Sequence, residues 1–175
     1  MAHVATDGRW LRVNGRVCAM TGYARDELLG MTFQDITHPG DLATGLASVD
    51  QLLAGEIATY AMEKRYIRKD GEIVWINLTV SLVRKADGTP DYFLSVIDDI
   101  TARKRADIAL AESRSRLAGV VDSAMDAIIS IDARQNVVLF NAAAERLFQR
   151  KAAEVIGQPV SLMLPQRFWD AHTRF

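Results

Sequence analysis

Few side chains in this 175-residue sequence are of the kinds that do chemistry, and they are scattered. His38, in Thr37-His38-Pro39-Gly40-Asp41, carries an imidazole, a group suited to a cofactor contact or a proton sensor. The same string also makes a turn and caps a following helix, with Asp41 near the positive end of its dipole, and we adopt that reading. Cys18 can bond covalently to a flavin or other chromophore if it is activated toward the thiolate. Tyr66 and Trp75 can stack on a planar ligand. No Gly-rich phosphate loop, Ser/His/Asp set, H-E-x-x-H string or two-metal carboxylate pattern accompanies them, so no catalytic residue is assigned and none is expected to make this segment an enzyme.

Composition narrows the function classes further. Twenty-one basic and twenty-two acidic residues leave a formal charge of -1, which gives no broad attraction toward nucleic acid or anionic lipid. One cysteine excludes an intrachain disulfide and a structural zinc cluster, and a reducing cytoplasm fits. No apolar run approaches the roughly 20 residues needed to span a bilayer, and the first residues lack the layout of a signal peptide. The expectation is a folded cytoplasmic protein with no membrane segment and no nucleic-acid partner.

The elements that must position these residues can be read from periodicity. Arg9 to Val13 is β-type, and Asn14 after it is a favoured N-cap for a helix. Arg25 to Gly30 reads as one or two helical turns that glycine stops in the left-handed conformation. Leu42, Leu46, Val49 and Leu53 lie at helical spacing, closed by Gly55. From Tyr60 the period becomes two, giving strands over about 60–68, 73–84 and 91–98, joined at the hairpin signals Asp70-Gly71 and Asp87-Gly88. Val74, Ile76, Leu78, Val80 and Leu82 share one face of the middle strand, and Trp75 belongs to the other. Met20, Leu28, Phe33, Ile36, Leu46, Ile67, Leu78, Val80 and Leu94 are expected to form the interior. Together these elements make an α+β arrangement with helices on one face of an antiparallel sheet.

An internal repeat divides the chain. Asn14 aligns with Asn141, Glu27 with Glu154 and Gly30 with Gly157 at one constant offset, and the apolar positions Met20, Leu28 and Leu29 align with Leu147, Val155 and Ile156. The β-type run 136–140 precedes Asn141 as 9–13 precedes Asn14. Only the first copy has the later strands. Half a sheet cannot close a core, so residues beyond about 125 are expected to borrow strands, pack as a fragment or be poorly ordered.

The strings D-G-R-W-L-R-V-N, M-T-G-Y-A-R-D-E-L-L-G, D-I-T-H-P-G-D-L, R-Y-I-R-K-D-G-E-I-V-W-I and D-D-I-T-A-R-K-R-A occur in the order of the PAS domain with its C-terminal PAC segment, and the sequence resembles that family. The resemblance covers residues 1 to about 105 and resumes near 117. It implies a five-stranded antiparallel sheet with short helices on one face, a ligand or cofactor cavity between them, and a long connector helix leading to an output domain. The corresponding division is 1–100 for the first domain, 101–123 for the connector and 124–175 for the opening of a second domain. The amphipathic helix that the family often carries before its first strand has no counterpart, which suggests a start inside the domain.

The resemblance also weighs the candidate residues. Reactive cysteines of light-sensing members sit in an Asn-Cys-Arg-Phe-Leu string that is absent, so Cys18 reads as a buried filler. Trp75 occupies the family's K-D-G-x-x-x-W position and reads as a sheet-surface residue. In haem-binding members a His follows an M-P string by seven residues; here His172 follows Leu164-Pro165 at that interval, and imidazole suits haem iron. Haem or flavin is thus possible, though the sequence requires neither. Asp99 and Thr101 close the sheet and start the connector, along which Ala106, Leu110, Ser113, Leu117, Val120 and Ala124 form a seam of small and apolar residues at coiled-coil spacing. The implied function is sensory: a homodimer whose connector, through Asp99, Thr101, Leu110 and Leu117, relays ligand or redox state to a histidine kinase or diguanylate cyclase output. A ligand-free structural relay is the alternative.

Overall fold

The computed structural model describes residues 1–163, in two compact units that divide between Asp107 and Ile108. The first unit is built on a five-stranded antiparallel sheet in the order β2-β1-β5-β4-β3: β1 (Ala2–Ala5), β2 (Trp10–Val13), β3 (Thr59–Ile67), β4 (Ile73–Arg84) and β5 (Pro90–Asp99). Between β2 and β3 run α1 (Gly15–Thr21), α2 (Arg25–Leu29), α3 (Phe33–Ile36) and α4 (Pro39–Ala54). After β5 the chain enters α5 (Thr101–Ser123), whose 23 residues span about 34 Å. The α+β class, the three hairpin-linked strands and the connector all match the sequence expectation.

Local chemistry explains the boundaries. Asn14 Oδ1 accepts from the Val17 amide at 3.1 Å and so caps α1. His38 Nδ1 accepts from the Gly40 amide at 3.1 Å, with Pro39 in the first turn of α4. In the hairpins, Asp70 and Asp87 accept from the amides of Glu72 and Thr89, while Gly71 and Gly88 each take φ 86°.

Three expectations need correction. The sheet begins earlier than Arg9: Ala2–Ala5 forms β1, an inner strand paired with both β2 and β5. Four residues are too few to show a period, and the turn at Asp7-Gly8 was not recognised. Gly30 takes φ -88°, so the left-handed stop is found at Gly157 (φ 84°) but not there. Ile67 and Leu94 lie on the outer, partly exposed face and Leu46 is half-buried. Their strand neighbours Tyr66 and Phe93 take the inward positions, because the phase of a strand is set by its partners' register.

The second unit repeats several bonds of the opening of the first. It holds β6 (Ile129–Ile131), β7 (Val137–Phe140), α6 (Ala142–Phe148), α7 (Ala152–Val155) and a 3-10 turn at Val160–Met163. The bridge Arg9↔Thr32 recurs as Asn136↔Pro159. Phe33 donates its amide to Gly8 O at 3.0 Å, and Val160 donates to Gln135 O at 2.9 Å. A small core of Val137, Phe140, Ala144 and Val155 closes it.

The repeated asparagine does more in the second copy. Asn141 Oδ1 accepts from Ala144 (2.9 Å) and Ile128 (2.8 Å), and its Nδ2 donates to Val121 O (2.9 Å) at the end of α5 and to Asp126 O (3.0 Å). It is 1% exposed, whereas Asn14 is exposed. Asn14→Ala should therefore cost an ordinary cap, about 1 kcal/mol. Asn141→Ala strands buried donors and acceptors and should cost at least about 2 kcal/mol. Amide exchange at Ile128 and Ala144 should accelerate about 30-fold or more in Asn141→Ala, and equal exchange in wild type and variant would contradict this account.

Candidate functional site

The inner face of the first unit's sheet and the helices over it enclose a cavity, built from every layer: Val4 (β1), Trp10 (β2), Phe33 (α3), Val49 (α4), Tyr60, Lys64 and Tyr66 (β3), Leu78 and Val80 (β4), and Phe93 and Ser95 (β5). It offers about 20 Å³ to the centres of water-sized molecules, room for a group of very few heavy atoms. Haem and flavin need sites of several hundred Å³, so this cavity as it stands fits neither.

Lys64 is the unusual member. Along β3 the side chains of Tyr60, Met62, Lys64 and Tyr66 alternate inward, and register with β4 sets Lys64 opposite the fully buried Ile76. The lysine is 2% exposed. Its Nζ donates to Thr37 Oγ1 at 3.3 Å, a hydroxyl that itself donates to Phe33 O at 2.7 Å. Its other neighbours are the rings of Phe33 (5.1 Å) and Tyr66 (5.0 Å), whose faces attract a cation. Burial pulls the ammonium down to about 8, partly opposed by the charge of Asp41. Burial also pushes the Tyr60 phenol up to about 12 and raises that of Tyr66, so both hydroxyls remain protonated.

Asp41 is not available to Lys64. Its carboxylate takes the Arg65 guanidinium at 2.6 and 2.9 Å and the Arg65 amide at 2.8 Å, and the guanidinium holds it below the usual carboxylate range. β3 is the edge strand, and its Arg65 carbonyl accepts from the His38 amide at 3.0 Å. Residues 38–41 thus cover that edge, which would otherwise offer unpaired backbone groups.

On the outer face the same strands hold the root of α5. The Trp75 ring lies between the Arg65 guanidinium (5.4 Å) and the Lys104 ammonium (5.1 Å). Its backbone amide donates to Thr101 Oγ1 at 3.0 Å, and its carbonyl accepts from the Ile100 amide at 2.9 Å. Asp99 Oδ1 accepts from the Thr101 amide at 2.8 Å, and Glu63 pairs with Lys104 at 2.6 Å and with Arg103. From Lys104 onward no residue of α5 is buried, and Leu110, Leu117 and Val120 are exposed.

The candidates from the sequence therefore separate. Tyr66 lines the cavity; Trp75 lies on the opposite face of the sheet; Asp99 and Thr101 form the root of the connector; Leu110 and Leu117 lie along it. Cys18 is partly buried against the core. Leu164, Pro165 and His172 lie outside the described residues. Sequence reasoning missed Lys64 and Trp10. Lys64 was signalled by its place at the inward period of Tyr60, Met62 and Tyr66, where a charge is out of pattern.

A PAS-fold family pattern matches residues 11–97, and a second PAS-fold pattern matches residues 115–169. The chain belongs to the PAS family of sensory domains. It is 50% identical over 107 residues to a probable diguanylate cyclase, DgcE, of Escherichia coli (strain K12), covering 61% of this chain and 10% of that protein. It is 31% identical over 119 residues to the sensor histidine kinase TmoS of Ectopseudomonas mendocina, covering 68% of this chain and 12% of that protein. The chain thus spans about a tenth of the length of these curated relatives. Among solved structures, a sensory box histidine kinase/response regulator from Burkholderia thailandensis E264 superposes with a TM-score of 0.50 at 26% identity, covering 66% of this chain and 86% of that one.

The buried lysine makes a sign-specific pH prediction. Its folded pKa lies below the ordinary lysine value of 10.5, so folding is penalised while the amine must be charged and is favoured as pH rises from about 8 toward 10.5. Tyr60, Tyr66 and Asp41 face or influence it in both wild type and variant. Lys64→Met should raise the melting temperature at pH 7, and the gap between variant and wild type should shrink by pH 10. A gap independent of pH would mean that Lys64 is not held as a buried cation.

Proposed function

We propose that the first unit senses the state of its cavity and that α5 carries the change to an output domain through a parallel helix pair formed by two copies of the chain. The observation that carries this reading is the rooting of α5. Its first turn is tied to β3 and β4 at Glu63 and Trp75, while Leu110, Leu117 and Val120 further along are exposed and unpartnered among the described residues. A helix pair joined by such a sparse seam can rotate or shift at low cost, so a ligand that prefers one arrangement of the sheet shifts the population of helix arrangements.

Arg65 supplies the link between the two faces. It follows Lys64 in β3, clamps Asp41 of α4 and lies over the Trp75 ring whose backbone holds Thr101. A change around Lys64 is therefore one residue away from the root of the connector. The 50% identity to a probable diguanylate cyclase favours a cyclase output, with a histidine kinase as the alternative, and neither activity resides in this chain in our reading. Among the described residues no helix is long and apolar enough to cross a membrane, and we place the module in the cytoplasm.

Disulfide cross-linking in a Cys18→Ser background tests the helix pair. Leu110→Cys and Leu117→Cys should each give covalent dimers under mild oxidation, and Glu112→Cys, two residues around the helix, should not. Monomeric behaviour at high concentration, with no cross-linking at either leucine position, would refute the proposal.

A further inference from the structure

We propose that the cavity of the first unit binds a small carboxylate-type anion that pairs with the Lys64 ammonium. This inference rests on the reading of that cavity as the sensing site and names the chemistry of what it senses.

The charge balance of the cavity points to an anion. A buried ammonium is ordinarily paired, because stripping its water costs several kcal/mol. Lys64 has three N–H donors and, among the described residues, one hydrogen bond, the 3.3 Å contact to Thr37. The ring faces of Phe33 and Tyr66 recover part of the cost but accept no strong hydrogen bond. Among the described residues the carboxylate that influences Lys64, that of Asp41, is taken by three bonds from Arg65.

A second buried donor belongs to a residue that lines the same space. Trp10 is 2% exposed, and its Nε1–H is buried with no acceptor among the described residues. A donor left unpaired in this way costs about 1–3 kcal/mol. Tyr60, Tyr66 and Ser95 also line the cavity, and no Asp or Glu is among its described lining residues. The walls are mostly apolar, so neither the Lys64 ammonium nor the Trp10 indole N–H meets an anionic acceptor among the lining residues.

Size restricts the anion. About 20 Å³ for the centres of water-sized molecules is close to the room of one water, so formate, the smallest carboxylate, enters only with a small shift of lining side chains and acetate needs a larger one. A longer acid would have to displace the rings of Phe93 or Tyr66. Water can occupy the same volume, but it brings no charge to offset that of Lys64.

Thermal denaturation of the full chain, with formate and acetate as probes and chloride to hold ionic strength constant, tests the inference. Formate should raise the melting temperature of the wild type along a saturating curve, while the neutral isostere formamide should leave it unchanged. The formate shift should vanish in Lys64→Met. Because that variant changes packing as well as charge, Trp10→Phe and the indole N–H resonance of Trp10 provide independent readouts. Trp10→Phe should weaken the formate midpoint about tenfold, and the wild-type resonance should move on titration with formate but not with chloride. Equal shifts with formamide, a formate shift retained in Lys64→Met, or an unmoved Trp10 resonance would overturn the inference. Native mass spectrometry separates the two levels. A neutral molecule held by the wild type would overturn the anion but keep a sensing cavity, whereas no bound molecule together with no formate response would overturn both.

Discussion

The register of β3 against β4 is the constraint on which the first unit depends. All nine residues of β3, from Thr59 to Ile67, have partners in β4, from Ser81 to Ile73. Side chains alternate strictly along a strand, so a slip of one position would exchange its two faces. Lys64 would leave the cavity, and Arg65 would lose its place over Trp75. The in/out assignment of these two adjacent residues is what gives the sheet a charged group in a mostly apolar inner site and a polar outer anchor for the connector.

That alternation has consequences on both faces. Inside, a cation with a single hydroxyl acceptor is tolerated because aromatic faces surround it and burial weakens its hold on the proton. Outside, the Arg65 clamp on Asp41 closes an edge strand while the same guanidinium supports the tryptophan that holds Thr101. Exposed ion pairs such as those of Glu63 add little stability individually. Their value lies in fixing where α5 begins, because the rest of that helix has no buried residue among its 23.

The two units open on one design. The turn, the bridge and the asparagine cap recur, yet the first unit goes on to α4 and three further strands. In the second, Asn141 is buried by the chain that precedes it and gathers four hydrogen bonds from three segments. Asn14 has only the capping role. The residue type is the same, and the work it does depends on what the surrounding chain brings to it.

Much of this was legible from local pattern. Asp-Gly hairpins, period-two strands, the Asn caps and the uninterrupted helix from Thr101 to Ser123 are short-range features, and the repeat and the family resemblance follow from their order. Ala2–Ala5 was not legible, because four residues carry no usable period and the strand exists through its pairing with β2 and β5. The outer-face position of Trp75 was legible, but the inward turn of Tyr66 in place of Ile67 was not, because it depends on the strand phase. Residue types along β3 determined that a charge would fall within an apolar alternation. Only the tertiary structure decided that this charge is Lys64 lining a cavity also lined by Trp10, whose Nε1–H has no acceptor among the described residues, while Arg65 holds the carboxylate of Asp41, because burial and pairing are properties of residues distant in sequence brought together.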